Sequence, residues 1–145
     1  MERTDLSALL AAVAEEYEDR GEPVELGATQ RLALRLRATW LRRALRNLID
    51  NAVRYGGKAR VSLTSEGRSA LVRIEDDGPG IPEGEIDAMM EPFARGEASR
   101  NRETGGAGLG LTLARAIAEQ HGGTITLHNR TDGAGLVAEL RLPLD

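Results

Sequence analysis

The chain contains no cysteine and only two histidines. The lack of cysteine excludes a disulfide framework, a thiolate metal site and a thiol nucleophile. The two histidines, His121 and His128, are too few for a zinc site unless carboxylates complete it. Aromatic residues make up 3% of the sequence. The core is therefore expected to consist of leucine, alanine, valine and isoleucine.

Long apolar runs and a positive net charge are also lacking. No apolar segment approaches the roughly 20 residues of a membrane-spanning helix, and no signal peptide is recognisable. The chain as given is therefore expected neither to span nor to cross a membrane. The net charge of −4 does not favour a nucleic-acid partner. A length of 145 residues with 41% hydrophobic content predicts one domain with its own core.

The hydrophobic periodicity predicts an α+β fold, a two-layer α/β sandwich whose mixed sheet of about five strands carries three main helices on one face. Helices are predicted from Leu6 to Gly21 with Asp5 as cap, from Trp40 to Tyr55 with Thr39 as cap, and from Leu109 to His121. Strands are predicted at Pro23–Leu26, Leu32–Leu36, Arg60–Thr64, Ser69–Glu75, Thr124–Asn129 and Leu136–Leu142. A short helix at Pro82–Met90 and a polar, mobile loop at about 95–108 complete the prediction.

Two glycine-rich segments carry the chemistry. Asp76–Ile81, with the sequence D-D-G-P-G-I, places a carboxylate at the end of a strand and then frees the backbone. Gly105–Leu111, with the sequence G-G-A-G-L-G-L, runs directly into a helix. Backbone N–H groups at a helix N-terminus attract anions. The pair predicts a nucleotide with its base on Asp76 and its phosphates at the second segment.

The helix that follows Thr39 has a polar stripe beside its apolar one. The stripe consists of Asn47, Asn51, Arg54 and Tyr55. An asparagine carbonyl is a hard oxygen ligand that suits Mg²⁺, and a guanidinium suits a phosphate. Taken alone, such a stripe is more often a solvated helix face. The neighbouring glycine-rich segments favour the wall of a binding site instead.

In order and spacing, these segments resemble the ATP-binding catalytic domain of bacterial sensor histidine kinases. The broader superfamily includes gyrase, mismatch-repair and heat-shock-chaperone ATPases, which share the Bergerat-type ATP-binding fold. The resemblance covers essentially the whole chain. Asn47–Tyr55 is similar to the N box, Glu75–Ile81 to the first glycine box, Glu91–Gly96 to the F box and Gly105–Leu111 to the second glycine box.

The resemblance implies the roles of individual residues. Asn51 would ligate Mg²⁺ and act with Arg95 in catalysis, and Asp76 would accept a hydrogen bond from the adenine amino group. The segment from Arg95 to Gly110 would be a lid over the phosphates, where Arg95 and Arg100 neutralise charge. The full set of implied ATP-binding residues is Asn47, Asn51, Arg54, Tyr55, Asp76, Gly78, Gly80, Ile81, Arg95, Gly96, Arg100, Gly106, Ala107, Gly108, Leu109, Gly110 and Leu111.

Position 47 separates two activities within the superfamily. The gyrase-like and chaperone-like ATPases resemble E-L-x-x-N here, with a glutamate that activates water, whereas this chain has Asn47. An amide cannot serve as a general base for water. The sequence therefore favours phosphotransfer over hydrolysis. One departure from the family pattern is Ala107, which stands where many histidine kinases carry threonine.

No segment resembles the phospho-accepting helix of such kinases, and neither His121 nor His128 lies in a suitable motif. The dimerisation and phosphoacceptor domain is therefore expected to be absent from this chain. The domain would bind ATP and Mg²⁺ and give the γ-phosphate to a histidine on that separate helical domain, for onward transfer to a response regulator receiver domain. It would be monomeric and cytoplasmic, part of a membrane-bound homodimeric kinase. An ATPase clamp that dimerises on ATP and a non-catalytic nucleotide-sensing module remain the alternatives.

Overall fold

The computed structural model of the protein describes residues 1–82, residue 85 and residues 107–144. The predicted helix at Pro82–Met90 and the predicted loop at 95–108 lie outside these residues, apart from Pro82, Glu85, Ala107 and Gly108. The elements in chain order are β1 (Glu2–Asp5), α1 (Leu6–Asp19), β2 (Val24–Thr29), β3 (Ala33–Leu36), α2 (Ala38–Gly56), β4 (Ala59–Glu66), β5 (Ser69–Glu75), α3 (Ala107–Gln120), β6 (Thr124–Asn129) and β7 (Leu136–Pro143).

Five of the strands form one mixed sheet in the order β2-β4-β5-β7-β6. Strand β2 runs parallel to β4, and the other neighbours are antiparallel. The three helices and this sheet confirm the predicted two-layer α/β sandwich. Strand β1 was not predicted, because its residues Glu2–Asp5 are all polar and show no alternation. It pairs with β3 in a separate two-stranded sheet, so β3 does not join the main sheet.

The core lies between the sheet and the helices. Helix α2 contributes an apolar stripe in which Leu41, Leu45 and Ile49 are completely buried. Burying a side chain of this size contributes about 1.5–3 kcal/mol to folding. Burial of this stripe therefore holds α2 in the core. Because the helix is fixed, the polar stripe beside it is also fixed in position. No helix in the described part of the chain combines the length and the apolar character needed to cross a bilayer.

The starts of α1 and α2 are fixed in different ways. The predicted cap of α1 is confirmed, because the Asp5 carboxylate accepts a hydrogen bond from the Ala8 N–H at 3.1 Å. The predicted cap of α2 was wrong, because Thr39 lies inside the first turn and Arg37 is the residue before the helix. A tertiary contact replaces the cap. The Arg37 N–H donates to Nε2 of His121 at 3.0 Å.

That contact orients the imidazole of His121, which is 7% exposed and directly follows α3. Its Nδ1 lies 2.8 Å from the carbonyl oxygen of Ile117 and donates to it. Its Nε2 accepts from Arg37. The ring therefore joins the end of α3 to the start of α2, and these are the two helices that carry the N box and the second glycine box.

Candidate nucleotide-binding site

The carboxylate of Asp76 lies at the centre of the candidate site. Asp76 follows β5 directly and is 3% exposed. Its Oδ1 accepts hydrogen bonds from the N–H groups of Gly78 at 2.9 Å and Leu136 at 3.1 Å. Among the residues that the structure describes, no donor reaches Oδ2. One oxygen is thus used to fix the carboxylate, and the other is available to accept from an amino group.

The last turn of α2 contacts this carboxylate at Gly56, which has no side chain. A Cβ atom at Gly56 would lie 2.3 Å from both Cβ and Cγ of Asp76. A Cβ atom at Gly78 would lie 2.6 Å from the Cα atom of Gly56. Both distances are far shorter than van der Waals contact. Glycine at these positions lets the end of the N-box helix and the first glycine box meet.

Asn51 supplies a second oxygen that has no hydrogen-bond donor among the described residues. The residue is 6% exposed, and its Oδ1 is buried with no hydrogen-bond partner in the described part of the protein. Burying an unsatisfied acceptor costs about 1–3 kcal/mol. A bound cation would remove that penalty, and an amide oxygen is a ligand that Mg²⁺ accepts. The chemistry of this unpartnered amide oxygen therefore fits the predicted role of Asn51 as a Mg²⁺ ligand.

The other predicted residues of α2 are distributed along the same helix. The Asn47 side chain donates to the carbonyl oxygen of Gly110 at 3.3 Å and so ties α2 to the first turns of α3. Arg54 is exposed and Tyr55 partly buried, next to the turn that contacts Asp76. Neither side chain has a recorded hydrogen bond to another described residue.

The predicted lid and the second glycine box are only partly described by the structure. Arg95, Gly96, Arg100 and Gly106 lie outside the described residues. Helix α3 begins at Ala107, two residues before the predicted start at Leu109, and therefore includes Gly108 and Gly110. Leu111 is completely buried, so none of its surface is exposed to a ligand in this structure.

The turn that follows Asp76 carries an ion-pair cluster centred on Asp77. The carboxylate lies 3.1 Å from Arg60 Nη1 and 3.5 Å from Lys58 Nζ, and Arg130 also contacts it. The hydrogen bond from Arg60, followed by that from Lys58, lowers the pKa of Asp77 to about 2. Asp77 therefore stays ionised and secures the turn.

Sequence reasoning missed the contribution of the hairpin between β6 and β7. Leu136 donates to Asp76, and the side chain of Asn129 accepts from the Ile81 N–H at 2.9 Å. Because β6 and β5 both run antiparallel to β7, their ends lie at the same edge of the sheet. Asn129 ends β6 there, as Asp76 follows β5. An asparagine at this point, followed by the turn Thr131–Gly133, was the available signal.

Comparison with known proteins gives the family. A model described as histidine kinase-, DNA gyrase B-, and HSP90-like ATPase matches residues 37–145. The chain belongs to this ATPase family. The sensor histidine kinase GtrS of Pseudomonas aeruginosa is 40% identical over 143 residues, which are 99% of this chain and 29% of GtrS.

Two solved structures agree with this relationship. The ATP-binding domain of PrrB from Mycobacterium tuberculosis is 30% identical, with a TM-score of 0.77 over 99% of this chain and 97% of that one. The catalytic domain of histidine kinase ThkA, in a nucleotide-free form, is 25% identical with a TM-score of 0.79, over 99% of this chain and 97% of that one. Within the family, the chain is a histidine kinase catalytic domain, similar in extent to these domains and much shorter than GtrS.

Proposed function

We propose that this domain binds ATP with Mg²⁺ and donates the γ-phosphate to a histidine on a separate helical dimerisation domain of the same kinase. A response regulator receiver domain would take the phosphoryl group next. The observation that carries the proposal is a pair of oxygens that have no hydrogen-bond donor among the described residues, Asn51 Oδ1 and Asp76 Oδ2. One suits a cation and the other suits the adenine amino group.

The residues of the chain divide the work between them. Asp76 selects the base, because its free oxygen accepts from an amino group and would repel the carbonyl oxygen that guanine has in that position. Asn51 would hold Mg²⁺, which when bound neutralises charge on the phosphates. The N-terminal end of α3 faces Asn47 through Gly110, where its dipole favours an anion. Arg95 and Arg100 remain the proposed lid cations.

The lack of a general base supports transfer rather than hydrolysis. Asn47 cannot deprotonate water, and its amide is already engaged with Gly110. Positioning and charge neutralisation are then the contribution of this domain. We further propose that the domain is monomeric and cytoplasmic, belongs to a membrane-bound homodimeric kinase and has no nucleic-acid partner. The name of one relative, sensor histidine kinase GtrS, supports the assignment to a kinase.

Titration calorimetry tests the proposal. The chain is titrated with a non-hydrolysable ATP analogue, with and without Mg²⁺, and with the corresponding GTP analogue. We expect saturable binding that prefers adenine and tightens with Mg²⁺. Asp76→Asn should weaken ATP binding and reduce the preference over GTP, because the amide turns a donor towards the adenine amino group. Equal affinity of wild type and variant for both nucleotides would contradict the site assignment.

A further inference from the structure

The turn between Gly78 and Ile81 is held from outside by one side chain. The amide of Asn129 accepts from the Ile81 N–H at 2.9 Å and donates to the Ile81 carbonyl oxygen at 2.7 Å. An antiparallel strand makes the same pair of bonds to a neighbour. Asn129 thus takes the place of a strand partner for a segment that lies beyond the sheet.

The approach of this side chain is close enough to constrain the sequence of the turn. Gly80 has a φ of +76°, and a Cβ atom there would lie 2.5 Å from Oδ1 of Asn129. A side chain at position 80 would therefore be strained and would also displace the amide. The Asn129 side chain can take this position only because residue 80 is a glycine.

Asn129 and Leu136 hold the two ends of the same segment. Leu136 donates to the Asp76 carboxylate at 3.1 Å, and the Asp76 N–H donates to the Leu136 carbonyl oxygen at 3.0 Å. Asn129 holds Ile81, and Ile81 packs against the hydrophobic core. Both holding residues belong to the β6–β7 hairpin, where they are paired with each other. The path from Asp76 to Ile81 is thus fixed at both ends.

We propose that Asn129 is a positioning residue for the nucleotide base. By fixing Ile81 and the turn before it, the amide keeps the wall beside Asp76 in the conformation that accepts adenine. A wall that is already ordered in the free protein binds the base more tightly, because no conformational entropy is then lost on binding. The inference rests on the proposed function and extends it to a residue outside the four boxes.

The test compares Asn129→Ala with the matched control Gln30→Ala. Gln30 also uses a side-chain amide to hold backbone, since its Oε1 accepts from the Ser65 N–H at 3.0 Å, at the far end of β4. Asn129→Ala should weaken the ATP analogue and ADP by the same factor, about tenfold for two lost hydrogen bonds. The ratio of affinities with and without Mg²⁺ should not change. Gln30→Ala should bind like wild type.

Amide hydrogen exchange supplies a readout that a general loss of stability would not produce. In Asn129→Ala without nucleotide, exchange at the Ile81 N–H should accelerate selectively, while buried amides of β5 keep their wild-type rates. Unchanged affinity for both nucleotides in a folded Asn129→Ala protein would overturn the proposal. So would a loss confined to the Mg²⁺-dependent part.

The isosteric variant Asn129→Asp covers the case in which the alanine variant does not fold. It keeps the acceptor for the Ile81 N–H but places an oxygen against the Ile81 carbonyl, so affinity should again fall about tenfold. Wild-type affinity in Asn129→Asp would overturn the role of the donor. If wild type itself binds no nucleotide, the proposed function fails first, and exchange at Ile81 still reports whether Asn129 holds the turn.

Discussion

Helix α2 carries polar residues on two faces, and the two faces treat their polar groups in opposite ways. Towards α1, the groups are paired. Glu16 lies 3.2 Å from Arg42 and 2.9 Å from Arg46, and the Tyr17 hydroxyl donates to Asp50 at 2.6 Å. Towards the candidate site, Asn51 has a buried oxygen with no partner among the described residues.

Asp50 and Asn51 are neighbours in sequence, yet one is satisfied within the fold and the other is not. Satisfied polar groups stabilise a protein modestly, whereas an unsatisfied buried group destabilises it. A buried polar group without a partner calls for an explanation, and a bound ion is one such explanation. The comparison teaches that, among the described residues, a missing partner distinguishes the candidate binding face of α2 from its packing face, although both are rich in polar residues.

Gly56→Ala is the substitution expected to have the largest effect on the candidate binding face. The new Cβ atom would lie 2.3 Å from the Asp76 side chain, so either the helix end or the carboxylate must move. We expect overpacking of about 1–3 kcal/mol and loss of measurable nucleotide binding. Gly57→Ala is the control, because its φ of +80° strains an alanine but no atom lies within 4 Å. It should lower the free energy of unfolding by about 1–2 kcal/mol and leave binding intact.

The comparison is sharpest between Asn51→Ala and Asp50→Ala, since both place alanine on the same helix. Asn51→Ala should abolish the Mg²⁺-dependent gain in affinity and leave stability unchanged or higher, because it removes a buried orphan acceptor. Asp50→Ala should lower the free energy of unfolding by about 1–3 kcal/mol, because the Tyr17 hydroxyl loses its charged acceptor and keeps only the Arg46 carbonyl. Its nucleotide affinity should match wild type. Calorimetry and urea denaturation separate the two effects, and a reversed pattern would refute the distinction.

A smaller effect is expected from Tyr17→Phe. The variant loses the hydroxyl bond to Asp50 and the weaker one to the Arg46 carbonyl at 3.2 Å, while the ring stays packed. We expect about 1 kcal/mol of lost stability and no change in nucleotide affinity. Burial raises the pKa of Tyr17, so its ultraviolet ionisation signal should appear only at strongly alkaline pH or on unfolding. If Tyr17 ionised in the folded protein at the pH usual for tyrosine, its hydroxyl would not be held in this contact.

The smallest expected effect concerns Asp77, whose pKa is lowered to about 2 by the hydrogen bond from Arg60. A depressed carboxylate pKa adds stability above the unfolded-state value near 4, and this contribution is lost as the pH falls from about 4 towards 2. Wild type should therefore melt slightly above Asp77→Asn at pH 6, and the difference should vanish near pH 2. Salt should reduce it, because the carboxylate is exposed. A difference that persists at pH 2 would point to another cause.

The features that sequence analysis predicted are those encoded by nearby residues. The Asp5 cap reaches a residue three positions on, and the glycine boxes are continuous segments, so local chemistry was sufficient to predict them. The misses depend on distant partners. The start of α2 is fixed by His121, 84 positions away, and Ile81 by Asn129, 48 positions away. Such contacts become visible only when the order of the strands is known. Strand β1 was missed because polar residues give no alternation signal.

The two histidines have a consequence for where a phosphoryl group can go. A histidine attacks phosphorus through a ring-nitrogen lone pair, and in His121 that lone pair already accepts from the Arg37 N–H. His128 follows the core residue Leu127 on β6 and so points away from the helices, with Nε2 lying 3.3 Å from Glu139. Both rings are engaged within the fold, His121 by Arg37 and Ile117 and His128 by Glu139. Under the proposed function, each transfer event would therefore need a histidine of the separate helical domain to reach the bound nucleotide.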